Sequence, residues 1–386
     1  MMSNFTQQES NRCLHCKNPQ CRQGCPVGYD IPAFLRFVSQ NDFSNATKTV
    51  GHLFGEICGS VCPREKQCKG NCILGKKNCA IDVGAVEREV FQNNFPTLSR
   101  ESNRLGGVKI AVVGGGVSGI TFATQCYKEG AEVTVFERAQ LLHTLKSIPS
   151  FRLPKEAICR IVSAVENSQI AVVKQNVTAS DVENLQKTFD VVYLATGVSV
   201  ANKMYVSGEE HATQADDFLR ANDFGNVVVV GGGNTAMDCA RLNVFHGGKS
   251  TVAYRRSRSD MPAFDSEVES ALAENVQFFF NVAPLSVEKT DGKLTVTFAE
   301  TVSEGRGKLT LTENRVTLTC DKLVVATGNK FDVSVYPTER YVVVDEQNLV
   351  ANNLYAGGDA VGKSLVAQAV ADGICAAQSV LMRFGK

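Results

Sequence analysis

Eight of the chain's 14 cysteines fall between Cys13 and Cys72. The first four, Cys13, Cys16, Cys21 and Cys25, read C-x2-C-x4-C-x3-C and are followed by Pro26. The second four, Cys58, Cys62, Cys68 and Cys72, read C-x3-C-x5-C-x3-C, with Pro63 after Cys62. Thiolates on short loops are the soft donors that a cube of irons and sulfides takes at its corners, and eight of them would serve two [4Fe–4S] clusters. Arg64, Lys66, Lys69, Lys76 and Lys77 crowd the second group against Glu65, cations that would offset an anionic cluster and tune its potential. Structural zinc also takes four thiolates, usually from two C-x2-C knuckles, and only Cys13/Cys16 has that spacing. The pattern therefore favours iron–sulfur over zinc. Cys79, Cys126, Cys159, Cys239, Cys320 and Cys375 are scattered singly and read as small buried apolar residues.

A second chemistry is written in glycines. The apolar run Lys109–Val113 leads into Gly114, Gly116 and Gly119, a full G-x-G-x-x-G, and Glu137 closes the next apolar run. Glycines let backbone approach a pyrophosphate at a helix N-terminus, and an acid about 20 residues on holds a ribose. A second copy, GGGNTA, carries Gly231, Gly233 and Ala236. Where an acid would follow, this copy has Tyr254, Arg255 and Arg256, with Arg258 nearby. Two guanidiniums in place of a carboxylate suit a 2′-phosphate, so NADPH is expected over NADH. Near the C-terminus, Asp359 stands in a Gly-Gly-Asp before a small-residue helix, where an acid can meet a flavin's ribityl or phosphate oxygens; a simple capped turn is the plainer reading.

These residues need scaffolds. The 386 residues suggest two or three domains at about 150 each. Hydrophobic residues make up 44% and charged residues 21%, enough for sizeable cores. Forty Lys plus Arg balance forty Asp plus Glu, so no net field draws nucleic acid or an anionic membrane. No apolar run approaches the ~20 residues of a membrane span, and no basic start leads into an apolar stretch; a cytoplasmic protein without disulfides is expected. Asp30 before IPAFLRFVSQ reads as a helix N-cap, NNFPTLSRESNRLGG as a linker, and runs ending at Gly197 and Gly328 as further buried strands. KLTVTFAETV and KLTLTENRVTLTCDKL alternate as in an antiparallel meander. Strand–glycine–helix units occurring twice predict an α/β chain with two doubly wound domains.

The strings RCLHCKNPQCRQGCPVGYDIPAF, ICGSVCPREKQCKGNC, KIAVVGGGVSG, IPSFRLPK, VVVVGGGNTAMDCAR, AYRRS with MPAFDSE, and AGGDAVGKSLVAQAVADG, in this order, span nearly the whole chain. They resemble one family, which comprises the glutamate synthase small chain, the N-terminal half of dihydropyrimidine dehydrogenase, and the large subunit of NADH-dependent ferredoxin:NADP oxidoreductase. The resemblance implies a helical domain with two [4Fe–4S] clusters over residues 1–100, an FAD-binding domain in two parts (101–200 and 329–386), and an NADPH-binding domain inserted between them (201–328). It implies Cys13, Cys16, Cys21 and Cys72 as ligands of one cluster. Cys25, Cys62 and Cys68 would hold the other with Glu87, Cys58 being a bystander. FAD contacts carry over to Gly114, Gly116, Ser118, Gly119, Glu137, Arg152 and Asp359. NADPH contacts carry over to Gly232, Gly233, Asn234, Thr235, Arg255 and Arg256.

One stretch departs from the family. Its pattern reads roughly GGLLxYGIPxFRLPK, whereas this chain has LLHTLKSIPSFRLPK, with Leu141 and Leu142 where the glycine pair belongs and a loop a few residues shorter before them. A different loop path is expected there, with FAD retained. By resemblance the chain is an electron-input flavoprotein: NADPH delivers hydride to the flavin, and single electrons pass through the clusters to or from a partner catalytic subunit, as in glutamate synthase. The NAD(P)-linked subunit of a two-chain dihydropyrimidine dehydrogenase is an alternative. A cluster-bearing relay without working flavin is another, of a different class. Hydride transfer to a flavin needs positioning rather than a protein acid or base, so no catalytic side chain is assigned.

Overall fold

The computed structural model describes residues 3–221, 223–304 and 307–386. It divides into two compact units. One holds the chain up to Lys146, Ser150–Ser199 and Phe331–Lys386; the other holds Ser147–Pro149 and Val200–Lys330.

The first unit begins with helices. Asp30 caps Ile31–Ser39, its carboxylate accepting from Ala33 N at 3.0 Å, as the sequence predicts. Asp42 and Asp82 cap Phe43–Val50 and Val83–Asn93 in the same way. The apolar faces of these helices bury Phe34, Leu35 and Val38 against Val86, Val90 and Phe91. The helix Gly55–Val61 crosses Val83–Asn93 at very close range: a Cβ on Gly59 would lie 2.3 Å from Gly84 O. That approach sets Cys58 and Cys62 beside Glu87. The presumed linker is tied down rather than loose. Leu105 is fully buried, and Arg104 grips Glu129 through two nitrogens at 2.8 and 2.9 Å.

The same unit carries a six-stranded sheet in the order Leu349–Ala351, Leu354–Ala356, Val191–Leu194, Lys109–Val113, Glu132–Glu137, Ala171–Lys174. Its pairings are parallel except for the Leu349–Ala351/Leu354–Ala356 hairpin. Lys109–Val113 has Glu132–Glu137 on one side and Val191–Leu194 on the other, so the chain reverses its winding at this strand. Ligands of such sheets bind in the crevice at that switch point. The glycine turn after Val113 opens the helix Val117–Lys128, which packs on the C-terminal helix Val366–Phe384. The sheet and the helical region are joined by an ion pair between Arg160 and the buried Glu56 and by Gln125 Nε2 donating to Gly51 O at 2.8 Å.

The second unit has a five-stranded parallel sheet in the order Thr213–Gln214, Lys322–Val325, Asn226–Val230, Lys249–Tyr254, Gln277–Phe280. Val282–Thr290, Lys293–Glu304 and Lys308–Cys320 form the antiparallel meander that their alternation predicts. The single cysteines divide: Cys126, Cys239 and Cys320 are buried, Cys375 is half-buried, and Cys79 and Cys159 are exposed, against the expectation for all six. No helix of the described residues is long and apolar enough to cross a membrane.

Candidate functional site

Two cysteine-lined cavities lie in the helical region. Cys13, Cys16, Cys21 and Cys72 surround the larger, about 210 Å³, with Ile31, Leu35, Ile81 and Val83 among its apolar walls. Burial raises the thiol pKa of Cys13 and pushes that of Cys21 up to about 11. The fourth corner comes from the second sequence run, brought back by the 3-10 turn Ile73–Lys77 that Cys72 precedes.

Cys25, Cys62 and Cys68 line the narrower cavity, about 20 Å³, together with Cys58, Glu87, Tyr29, His52, Arg64 and Ala367. Burial pushes Cys25 up to about 11 and Cys68 higher still. Glu87 is 5% exposed; burial, then the nearby Cys62, raises its carboxyl well above the usual range. Tyr29 hydrogen-bonds its side chain, yet Oε1 is buried without a partner. Such an orphan costs about 1–3 kcal/mol unless a further group arrives to bind it.

Cys58, a bystander in what the resemblance implies, is in this wall. It stands one turn before Cys62, and its thiol donates to the Cys62 sulfur, which lowers the Cys62 pKa; the Ala367 N–H lowers it further. Ala367 lies in the first turn of Val366–Phe384, whose helix dipole favours negative charge there. The i, i+4 spacing of Cys58 and Cys62 on a helix was the available signal. Tyr29 and His52 had none. The expected excess of cations is also reduced: Arg64 and Lys69 are both paired with Asp82. Among the described residues no three Cys, His, Asp or Glu side chains converge where one metal ion would sit.

At the six-stranded sheet, Gly114 has φ 104°, and a Cβ there would lie 2.4 Å from Ala195 O. A Cβ on Gly119 would meet Gly114 O at 2.0 Å, and Gly116 is the N-cap of Val117–Lys128. The turn thus needs its glycines and presents a helix N-terminus. Glu137 is fixed by two backbone donors, Gly115 N to Oε2 and Ala139 N to Oε1, both at 2.7 Å. Each oxygen keeps lone-pair capacity for a ribose hydroxyl. Leu141 and Leu142 fold over this turn. Leu142 N donates to Gly115 O at 2.8 Å, and Leu142 is fully buried with φ 55°, the left-handed turn a glycine takes without strain. Ser118 turns its hydroxyl into the protein, 2.6 Å from Tyr193 OH, while Arg152 is half-buried in the turn before Lys155–Glu166.

Asp359 sits in the short 3-10 turn Gly358–Val361. Asp372 braces that turn, accepting from Gly358 N at 2.9 Å and Lys363 Nζ at 2.6 Å. Burial, then the charge of Asp372, pushes Asp359 up to about 6. For an acid raised in the folded state, the neutral form is the one the fold tolerates. Stability is full below the ordinary pKa of 3.8 and is lost as pH rises through about 6. Flavin-free Asp359→Asn is therefore expected to match the native chain at pH 4 and to be more stable at pH 8 by roughly 1–3 kcal/mol. Thermal unfolding at both pH values checks this; a gap that does not widen with pH would show the carboxylate to be unstrained.

In the second unit, Gly231 has φ 148° and a Cβ there would lie 2.3 Å from Ala326 O. Gly233 is the N-cap of Asn234–Phe245, with Thr235 exposed on the first turn. The ring of Tyr254 packs on Gly232, and Asn234 Oδ1 accepts from Phe264 N at 2.9 Å, tying the following loop to the turn. Beyond Tyr254, backbone bonds hold the strand end: Thr301 Oγ1 donates to Arg255 O at 2.9 Å and Asn281 N to Arg256 O at 3.2 Å. Arg255 is exposed, and Arg256 is half-buried with its Nε–H lacking a partner.

The two dinucleotide folds with a cysteine-rich helical region are those of an iron–sulfur pyridine nucleotide oxidoreductase, and the comparisons agree. Residues 1–97 match the family model "dihydropyrimidine dehydrogenase domain II, 4Fe-4S cluster", and residues 108–373 match "pyridine nucleotide-disulphide oxidoreductase". The glutamate synthase [NADPH] small chain of Escherichia coli is 30% identical over 97% of this chain and 90% of its own length. That of Azospirillum brasilense is 29% identical, over 97% and 88%. The β subunit of NADPH-Fe(3+) oxidoreductase of Geobacter sulfurreducens is 28% identical over 89% of this chain and 56% of its own. Among solved structures, Lactococcus lactis thioredoxin reductase superposes with a TM-score of 0.57 at 18% identity, covering 72% of this chain and 98% of its own, a likeness of fold. The chain belongs to the glutamate synthase small-chain family of NADPH-dependent oxidoreductases.

Proposed function

We propose that the chain is the electron-input subunit of a two-part enzyme of the glutamate synthase type, binding NADPH, FAD and two [4Fe–4S] clusters and exchanging electrons with a catalytic partner. The observation that carries this reading is the sorting of the cysteines. Cys13, Cys16, Cys21 and Cys72 share one cavity, while Cys25, Cys62 and Cys68 share another with an orphaned carboxylate, Glu87. The second cavity is also walled by Ala367, eight residues beyond Asp359, which puts it against the helix that follows the flavin-side turn.

When bound, flavin and clusters supply the conversion between hydride chemistry and one-electron transfer. The chain's own work is positioning. The turn at Gly114, Gly116 and Gly119 and the head of Val117–Lys128 hold the FAD pyrophosphate, with Glu137 accepting from the adenosine ribose; Ser118 and Arg152 shape the wall beside it, and Asp359 meets the ribityl end. Gly232, Gly233, Asn234 and Thr235 form the NADPH pyrophosphate turn, and Arg255 with Arg256 hold its 2′-phosphate. Anaerobic titration with NADPH, followed in the visible, tests the whole chain of cofactors. Bleaching of flavin bands and an iron–sulfur shoulder together is the expected result. A shoulder without flavin bands makes the chain a cluster relay instead.

A further inference from the structure

We propose that His52 is a hydrogen-bond donor to the iron–sulfur cluster held in the narrower cavity, setting that cluster's reduction potential without ligating it; this rests on the ligand reading above. His52 lies in the turn between Phe43–Val50 and Gly55–Val61 and is 3% exposed. It lines the cavity formed by Cys25, Cys58, Cys62, Cys68 and Glu87.

The tautomer follows from one bond. His52 Nδ1 accepts the N–H of Phe54 at 3.0 Å, so Nδ1 carries a lone pair and the ring proton is on Nε2. Burial, with Lys128 adding to it, keeps the ring neutral. The Nε2–H is itself buried and has no partner. It can give a hydrogen bond but has no lone pair to offer iron; ligation would require losing that proton or surrendering the Phe54 bond. What belongs opposite it is an acceptor. The cavity offers Cys25, Cys62 and Cys68, whose sulfurs become anionic acceptors on binding iron. Cys62 already receives the Cys58 thiol and the Ala367 N–H. His52 is a third donor to the same anionic group.

Hydrogen bonds to cluster sulfurs stabilise the more negative, reduced state and raise the potential. His52→Leu should keep its iron while the cluster becomes harder to reduce, about tenfold in the reduced-to-oxidised ratio at a fixed potential, or ~59 mV for one electron. His52→Gln, which keeps an N–H near the Nε2 position, should recover most of that shift. The measurement is a potentiometric titration of the full chain followed by electron resonance, with iron and sulfide assayed on each variant. In case the His52 variants fold poorly, a His15→Gln chain labelled with ¹⁵N-histidine, in which His52 is the one histidine left in residues 1–100, gives a second readout: a weak nitrogen coupling to the reduced cluster is expected. Full iron content with identical potentials in native, Leu and Gln forms, or no nitrogen coupling, overturns the role of His52. A strong coupling of the size of a ligand would overturn the donor assignment. A native chain that holds only one cluster instead defeats the ligand reading itself, whatever His52 does.

Discussion

Anaerobically purified protein is expected to contain about eight irons per chain and negligible zinc. Cys16→Ser should remove about four of them, and Cys62→Ser the other four, because the two residues line different cavities. Cys58→Ser should leave iron content intact, since the Cys58 thiol serves as a donor to Cys62. Glu87→Ala should change the electron resonance signal or occupancy of one cluster only, the one whose cavity its unpaired Oε1 borders. A carboxylate is a hard donor at a soft site, so its loss should be milder than loss of a thiolate. Zinc would need four donors converging on one ion at about 2.3 Å, usually from two C-x2-C knuckles, and the sequence has that spacing only at Cys13/Cys16. Stoichiometric zinc with no iron after anaerobic reconstitution would nevertheless end the cluster reading. Loss of a cluster on Cys58 substitution would show the ligand sets to be drawn wrongly.

The parts legible in the sequence are those where backbone chemistry leaves a local mark. Gly114, Gly119 and Gly231 had to be glycine because a carbonyl lies within van der Waals contact of any Cβ, so strand–turn–helix units could be read directly. The meander showed in its alternation, and the cap at Asp30 in one residue. The cysteine spacing showed chemistry, but how the eight divide into two cavities came only through family resemblance, because Cys72 returns from the second run to the first group. What stayed hidden is what long-range folding assembles. Tyr29 and His52 reach the narrower cavity from separate turns, with no periodicity to mark them. Asp82 neutralises Arg64 and Lys69 from 18 and 13 residues away, so a count of local charge overstated the cations available. At the Leu141–Leu142 loop, Leu142 takes a left-handed turn, at a cost of about 1–2 kcal/mol that the bond from its N–H to Gly115 O and the burial of its side chain offset, which no local pattern announces.

The flavin is expected to be reduced by NADPH in preference to NADH, by about 10- to 1000-fold in kcat/KM, with Arg255 and Arg256 as the cause. A 2′-phosphate brings close to two negative charges, and each charge-assisted bond to a guanidinium contributes about 1.5–3 kcal/mol. The backbone from which both side chains leave is fixed, since the Thr301 hydroxyl and the Asn281 N–H donate to the carbonyls of Arg255 and Arg256. Arg256 adds a further gain for NADPH. Its Nε–H is buried and unpartnered, a cost that an anionic acceptor relieves and that the neutral 2′-hydroxyl of NADH relieves poorly. Arg255→Ala with Arg256→Ala should therefore raise the KM for NADPH and leave NADH use nearly unchanged, collapsing the preference. Arg256→Lys should restore charge without the planar fork and recover only part of it. Stopped-flow flavin reduction under anaerobic conditions measures all of these. Equal rates with the two nucleotides in the native chain would mean that the arginines serve solvent or a partner surface and that this turn reads the pyrophosphate alone.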